Sequence, residues 1–91
     1  MRVIYHKGAL GNPNSIFSYI ANDDPNVAER VVSRIRAVTD VLGNSPYLGR
    51  PGRREARFLS IAGLPYVIIY RVRSESVRIV AIVHTARNRR F

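Results

Sequence analysis

The sequence predicts an α+β domain, in which two N-terminal helices pack on one face of a small, mainly antiparallel twisted sheet. After Asp24, apolar residues recur at intervals of three and four, as in a helix that covers a core. Two apolar runs at 66–73 and 77–84 are joined by a short polar connection, as in a β-hairpin. The predicted order is strand, two helices and three strands.

The N-terminal part begins with a predicted strand at residues 2–6, because its residues are mostly β-branched or aromatic. Glycines, an asparagine and a proline then interrupt regular structure. A short helix is expected at residues 15–21, with Asn14 or Ser15 as its cap. Its expected buried stripe consists of Ile16, Phe17 and Ile20.

The second helix has the clearest boundaries. Asp24 can cap its free N–H groups, and Pro25 suits the first helical position. Gly43 is the expected C-terminal stop. The expected buried face consists of Ala28, Val31, Val32, Ile35, Val38 and Leu42. Three arginines fall mainly on the other face: Arg30, Arg34 and Arg36.

The C-terminal half is expected to supply the rest of the sheet. Residues 47–54 are rich in turn formers and are predicted as a loop, and residues 57–61 as a strand. The hairpin that follows is expected to turn over a connection of three residues, 74–76. Both hairpin strands are almost continuously apolar, so they are expected at the centre of the sheet, with helices on one face.

Length and composition limit the possible classes. Residues 1–91 suit a single domain, and 46% hydrophobic residues support a folded core. The chain has no cysteine, which rules out disulfides and thiolate metal sites. No apolar run approaches the ~20 residues that cross a bilayer. A signal peptide is not visible either, so a cytoplasmic protein without membrane contact is expected.

The charge balance points to an anionic partner. Fifteen Lys and Arg residues stand against six Asp and Glu residues, which gives a formal charge of +9. Fourteen of these cations are arginine, whose planar fork grips carboxylates and phosphates. A polyanion or an acidic protein is therefore the expected partner. The alternative is a solvated basic surface in which arginine reflects codon bias.

The sequence contains no nucleophile triad, paired carboxylates or metal-ligand cluster. Asp23 and Asp24 are better explained by helix capping, and two histidines far apart are weak evidence for a metal. His6 is read as a strand-end side chain. His84 ends the last predicted strand just before Arg87, where it could act as a general acid or base, although a structural hydrogen bond is the favoured interpretation. No cofactor or metal is expected.

The arginines near the sheet form two groups along the sequence. One group precedes the middle strand and consists of Arg50, Arg53, Arg54 and Arg57, and the other, at the C-terminus, consists of Arg87, Arg89 and Arg90. If the last strand paired beside the Arg57 strand, the two groups would converge on one edge. Tyr66 and Tyr70 share parity and should lie on one face, as core rather than base-stacking residues.

Five segments in order resemble the ParE branch of the RelE/ParE toxin superfamily. They are YIANDDPNVA at 19–28, GR at 49–50, an arginine at 57, PYVIIYRV at 65–72 and VHTAR at 83–87. The resemblance covers almost the whole chain and depends on the order of the set rather than on one motif. It implies a compact α+β toxin with a helical hairpin against a small sheet. It also implies one half of a type II toxin–antitoxin pair of the plasmid-stabilisation kind.

The resemblance also bears on the target. RelE-type members are ribosome-dependent mRNA endonucleases with basic residues on the middle strands, whereas characterised ParE-type members poison DNA gyrase. The nuclease positions fall here on Phe58, Ser60 and Val67. None of these can stabilise a pentavalent phosphate or move a proton. The resemblance therefore implies a gyrase inhibitor that acts by binding.

Five residues are expected to contact the target or the antitoxin: Arg57, His84, Arg87, Arg89 and Arg90. Arg87 matches a basic position common to the superfamily, and Arg57 and His84 match positions usual in the ParE branch. The expected antitoxin contributes an acidic, amphipathic, initially disordered segment that shields the arginines in a hetero-oligomer.

Two other functions stay open from the sequence. One is a ribosome-dependent mRNA interferase, with His84 as acid or base and Arg87 stabilising phosphate. The other is a non-toxic basic nucleic-acid-binding module. The chain departs from the family pattern at 11–14, where a charged helical segment is usual, so the first helix is expected to be short. It departs again at 89–91, where a tryptophan is usual, and a weakened toxin is therefore a further alternative.

Overall fold

The computed structural model describes residues 1–87 and contains two helices on one side of a five-stranded sheet. The elements, in chain order, are β1 (Arg2–Leu10), α1 (Pro13–Ala21), α2 (Pro25–Asn44), β2 (Arg50–Pro51), a short 3-10 turn (Arg53–Glu55), β3 (Ala56–Ser60), β4 (Tyr66–Arg73) and β5 (Ser76–His84). The sheet order is β1-β5-β4-β3-β2. Only the pairing of β1 with β5 is parallel among the described strands. The predicted fold class is confirmed.

Helix α1 begins two residues earlier than predicted. Asn12 is its cap, since its side-chain oxygen accepts the Ser15 N–H at 3.0 Å, and Pro13 occupies the first turn. The prediction of Asn14 or Ser15 as the cap is wrong. Pro13 occupies the first helical position, which suits proline, and the capping residue is therefore the one before it, Asn12. Ile16 is buried as expected, whereas the predicted burial of Phe17 is wrong, because its side chain is 38% exposed.

Helix α2 follows its predicted boundaries closely. The carboxylate of Asp24 accepts the N–H groups of Asn26 and Val27 at 3.0 and 3.3 Å. The helix continues through Gly43 to Asn44 rather than stopping at the glycine. A Cβ at Gly43 would lie 2.8 Å from the Met1 carbonyl oxygen, so this glycine allows the start of the chain to pass close to the helix.

The β4–β5 hairpin forms the centre of the sheet, as predicted. Arg73 pairs with Ser76, so the turn has two residues instead of the expected three. The register shifts opposite Ile69 and Tyr70, which leaves Val80 as an extra residue in β5. Because of this bulge, Val77 and Ile79 before it and Ile82 after it all belong to the main core, although a regular strand would place Ile82 on the opposite face from Ile79.

The two faces of the sheet differ in what covers them. The helix-covered face carries the main core, which includes both Tyr66 and Tyr70, as predicted. The other face, called the open face below, has no α-helix on it within residues 1–87. It carries a smaller buried cluster of Val67, Ala81 and Val83, with Phe58 and Ile69 packed against it.

The segment predicted as a loop at 47–54 contains more structure than expected. Arg50 and Pro51 form a two-residue edge strand against β3, too short for a sequence pattern to reveal. Arg54 and Glu55 follow with φ of 54° and 61°, a left-handed conformation that non-glycine residues rarely adopt. Arg71 holds this turn, because its Nε donates to the Arg54 carbonyl at 3.0 Å.

Within residues 1–87, neither helix combines the length and the apolar character that a membrane span requires.

Candidate functional site

A cleft lies where the start of α1 meets the end of β5, on the helix-covered side of the sheet. Its volume is about 290 Å³. Its walls are mostly apolar, and its polar lining residues include His84 and Arg87. We call it the Arg87 cleft; its lining residues are Leu10, Gly11, Ser15, Ile16, Tyr19, Tyr66, Ile82, Val83, His84 and Arg87.

Arg87 is held against two tyrosines that also line the cleft. Its guanidinium carbon lies 4.3 Å from the centre of the Tyr19 ring, which is a cation–π contact. Its Nη2 donates to the Tyr66 hydroxyl at 3.2 Å. Tyr19 is 60% exposed and Arg87 is also exposed, so both can reach a bound partner.

His84 is oriented from two sides. Its Nδ1 accepts the Ala86 N–H at 3.2 Å, so the neutral ring carries its proton on Nε2. Its ring meets the Tyr66 ring edge-on, with centroids 5.2 Å apart. Burial, followed by the positive charge of Arg87, lowers the pKa of His84 below its usual value of 6.5. The neutral imidazole is therefore the dominant form at neutral pH.

Arg57 lies at a different place, where it fastens a loop. Its Nη1 donates to the Gly49 carbonyl at 2.7 Å and to the Tyr47 carbonyl at 3.3 Å. Its guanidinium carbon lies 4.9 Å from the centre of the Tyr47 ring. The buried Tyr70 completes the arrangement, because its hydroxyl accepts the Gly49 N–H and donates to the Pro46 carbonyl, both at 2.8 Å. We call this arrangement the Arg57 clamp.

The expected convergence of the two arginine groups is wrong. Strand β5 pairs with β4 and β1, so β4 separates it from the Arg57 strand. Arg57 is aligned with Tyr70, and His84 is aligned with Tyr66, four residues further back along β4. That offset corresponds to about 13 Å. The structure brings His84 and Arg87 together and leaves Arg57 apart, while Arg89 and Arg90 lie outside the described residues.

Sequence reasoning missed the tyrosines that both arginines use. Tyr19 follows Ile16 by one helical turn but projects from the exposed side, and Tyr47 lies in the loop after Pro46. Exposed aromatic residues near cationic segments were the available signal. Among residues 1–87, no three His, Asp or Glu side chains are grouped so that they could hold a metal ion.

Comparison with known proteins identifies the family. A sequence profile described as the ParE toxin of the type II toxin–antitoxin system parDE matches residues 3–89. This chain belongs to the ParE toxin family. The ParE assignment confirms the resemblance inferred from the sequence, and the chain is a toxin of a type II toxin–antitoxin system. Membership of the family also implies an antitoxin partner.

Two curated relatives support the ParE assignment along most of the chain. Y4kP of Sinorhizobium fredii, named as a candidate toxin, is 42% identical over 84 residues, which cover 91% of this chain and 86% of the relative. Toxin RelE2 of Caulobacter vibrioides is 35% identical over 86 residues, which cover 94% and 97% of the two chains.

A solved structure shares the ParE fold. It belongs to a chromosomal ParDE toxin–antitoxin system from P. aeruginosa and superimposes with a TM-score of 0.76. The match covers 92% of this chain and 95% of that chain, at 22% sequence identity. At that identity the likeness shows the fold, two helices against an open sheet.

Proposed function

We propose that this ParE toxin inhibits DNA gyrase by binding and is neutralised by its cognate antitoxin. The observation that carries the proposal is the separation of His84 and Arg87 from the three positions that match the nuclease site of the superfamily. Phe58, Ser60 and Val67 belong to the open face, whereas His84 and Arg87 lie in the cleft on the helix-covered side. The sheet therefore stands between the groups that a nuclease of this superfamily would bring to one phosphate.

The chemistry of these three positions argues in the same direction. Val67 is 6% exposed and belongs to an apolar cluster against which Phe58 packs. Ser60, which is aligned with Val67, brings only a neutral hydroxyl. Stabilising the charge of a phosphoryl transition state requires cationic groups or strong hydrogen-bond donors at the reacting atoms. Inhibition by binding needs no such groups.

The Arg87 cleft supports the proposed antitoxin contact. Within residues 1–87, Arg87 has no carboxylate partner, and its described neighbours are two aromatic rings. Leu10 and Tyr19 are each 60% exposed at the cleft. An acidic, amphipathic segment fits this arrangement, because its carboxylate would pair with Arg87 while an apolar side chain covers Leu10 or Tyr19.

The proposal is tested with purified gyrase, relaxed plasmid, ATP and increasing amounts of the folded chain. We expect loss of supercoiling together with accumulation of linear, cleaved DNA, and recovery of supercoiling when the antitoxin is added. Circular dichroism checks that the chain is folded. Unimpaired supercoiling at a large excess of folded chain, with mRNA cut at defined codons on ribosomes, would contradict the gyrase proposal and support the interferase.

A further inference from the structure

Two arginines stand directly opposite each other on the open face. Arg71 of β4 and Arg78 of β5 are partners in the antiparallel ladder. Partners in such a ladder have Cα atoms only about 4.5–5.5 Å apart. Like charges in this position repel each other and destabilise the pair. A neutral residue at either position would remove the repulsion, so this pair points to a ligand of opposite charge.

The next rung of the sheet extends the same charge. Arg73 in β4 and Arg2 in β1 both pair with Ser76, which lies between them. Residues on one face of a strand repeat about every 7 Å, so this rung lies that far from the first. We call the four residues the open-face arginines: Arg2, Arg71, Arg73 and Arg78.

The charge of the open-face arginines is not compensated inside the described chain. None of them pairs with a carboxylate within residues 1–87. Arg71 donates to the Arg54 carbonyl, and the Nε of Arg78 donates to the Ser76 hydroxyl at 3.4 Å. These acceptors are neutral: they orient the side chains and leave the positive charge in place.

The neighbouring apolar cluster leaves little surface for an apolar partner to cover. Val67, Ala81 and Val83 are only 6%, 8% and 4% exposed. A partner at the adjacent arginines must therefore contribute charge rather than apolar side chains. The phosphate backbone of a nucleic acid does so, with one negative charge per about 1.7 Å of duplex axis. The planar fork of arginine binds phosphate through two parallel hydrogen bonds.

We propose that the open-face arginines dock the phosphate backbone of duplex DNA. The choice of DNA rests on the proposed function, because gyrase acts on DNA and a toxin bound there would lie next to it. The Arg87 cleft lies on the other side of the sheet, so both surfaces can be occupied at once. The contact is with the backbone and is therefore independent of base sequence.

The test measures binding of the full chain alone to a dye-labelled duplex of arbitrary sequence by fluorescence anisotropy at several salt concentrations. The Arg71→Gln/Arg78→Gln variant removes the facing pair. The matched control, Arg30→Gln/Arg34→Gln, removes the same charge from the exposed side of α2. Arg73→Gln is a second, milder variant, since among the described residues the Nη1 of Arg73 donates only to the adjacent Val72 carbonyl. Circular dichroism verifies folding of each variant.

We expect the wild-type chain to bind DNA with an affinity that falls as salt rises. Loss of two phosphate contacts should reduce the slope of log K against log salt by about 1.8. When the salt concentration rises from about 50 to about 200 mM, the factor by which affinity falls should therefore be about twelvefold smaller for Arg71→Gln/Arg78→Gln than for wild type. The Arg73→Gln variant should reduce the slope by about 0.9, and the control should keep the wild-type slope.

Three results would overturn the proposal: no DNA binding at low salt, an equal slope change in the control, or tighter binding to polyglutamate or to an RNA duplex of the same length. Gyrase is absent from this experiment. If the chain binds DNA as expected but does not inhibit gyrase, the proposed target is rejected and the proposed DNA-binding surface is not.

Discussion

Two arginine–tyrosine pairs of this toxin look alike and differ in what surrounds them. Arg57 lies 4.9 Å from the ring centre of Tyr47, and Arg87 lies 4.3 Å from that of Tyr19. Arg57 also donates to two backbone carbonyls of the loop that it holds. Arg87 donates from its guanidinium only to the Tyr66 hydroxyl among the described residues. An arginine whose donors are used internally supports the fold, whereas one with free donors beside a cleft is placed to bind.

This difference changes how the two predicted contact residues are interpreted. We propose that Arg57 acts mainly by positioning the loop at 46–50, and that Arg87 contacts the partner directly. Both roles are proposals, and the alternative is the direct contact of Arg57 with a partner that the sequence predicts. The two roles separate cleanly by experiment, because loss of the clamp should alter stability and loss of the cleft arginine should alter binding.

The largest effect is expected for Gly49→Ala, which breaks the Arg57 clamp. A Cβ there would lie 2.7 Å from the Tyr70 hydroxyl oxygen and 2.9 Å from its Cε1. Overpacking of this kind should lower the free energy of unfolding by about 3 kcal/mol, measured by urea denaturation. Gly8→Ala is the matched control, because its Cβ would meet no atom of residues 1–87 closer than His6 Nδ1 at 3.8 Å. An equal loss in both variants would contradict the clamp.

The next effect compares the two arginines directly. Arg57→Gln removes a charged hydrogen bond of 2.7 Å and should lower the free energy of unfolding by about 1.5 kcal/mol. Arg87→Gln removes an exposed cation–π contact and a longer hydrogen bond of 3.2 Å to Tyr66, and should lower the free energy of unfolding by less, about 0.8 kcal/mol. Thermal or urea unfolding of the two variants measures the difference. If the order were reversed, the assignment of Arg57 to the fold would be wrong.

The smallest expected effect is a pH dependence of the free energy of unfolding that arises from His84 in the Arg87 cleft. The pKa of His84 is lower in the folded chain than in the unfolded one, because of burial and Arg87. As the pH falls, the unfolded chain binds this proton first. The contribution of His84 to stability is therefore complete above the unfolded pKa and is lost as the pH falls through the folded pKa.

The contribution of His84 is isolated by measuring the free energy of unfolding of wild type and His84→Gln from neutral to mildly acidic pH. The excess unfolding free energy of the wild type over the variant should decrease between neutral and mildly acidic pH. A constant difference, or one that grows as the pH falls, would contradict the shift. In the Arg87→Gln variant the pKa of His84, followed by NMR, should rise towards its usual value, since the Arg87 charge contributes to the shift.

The fold could be predicted from local signals, whereas the site could be predicted only in part. The Asp24 cap, the spacing along α2 and the apolar hairpin each determine one element locally, and the structure confirms them. The grouping of arginines depended on which strands are neighbours, and the parallel pairing of β1 with β5 is a long-range choice that no local pattern specifies.

Residues that act through distant partners were also invisible in the sequence. Gly43 looked like a helix stop, but its lack of a Cβ accommodates Met1, which is 42 positions away. The two-residue strand β2 is too short for an alternating pattern to exist. Tyr19 has the same spacing as a core residue, and only the position of Arg87 shows that it faces the cleft.

The division between a clamp that supports the fold and a cleft that binds is tested most directly by the concentration of toxin that halves supercoiling by purified gyrase. This concentration is measured for wild type, Arg57→Gln and Arg87→Gln at a temperature where all three are folded. Loss of one charged contact to the target should raise this concentration about tenfold for Arg87→Gln. Arg57→Gln should match the wild type. A rise for Arg57→Gln with none for Arg87→Gln would contradict the division between a clamp that supports the fold and a cleft that binds.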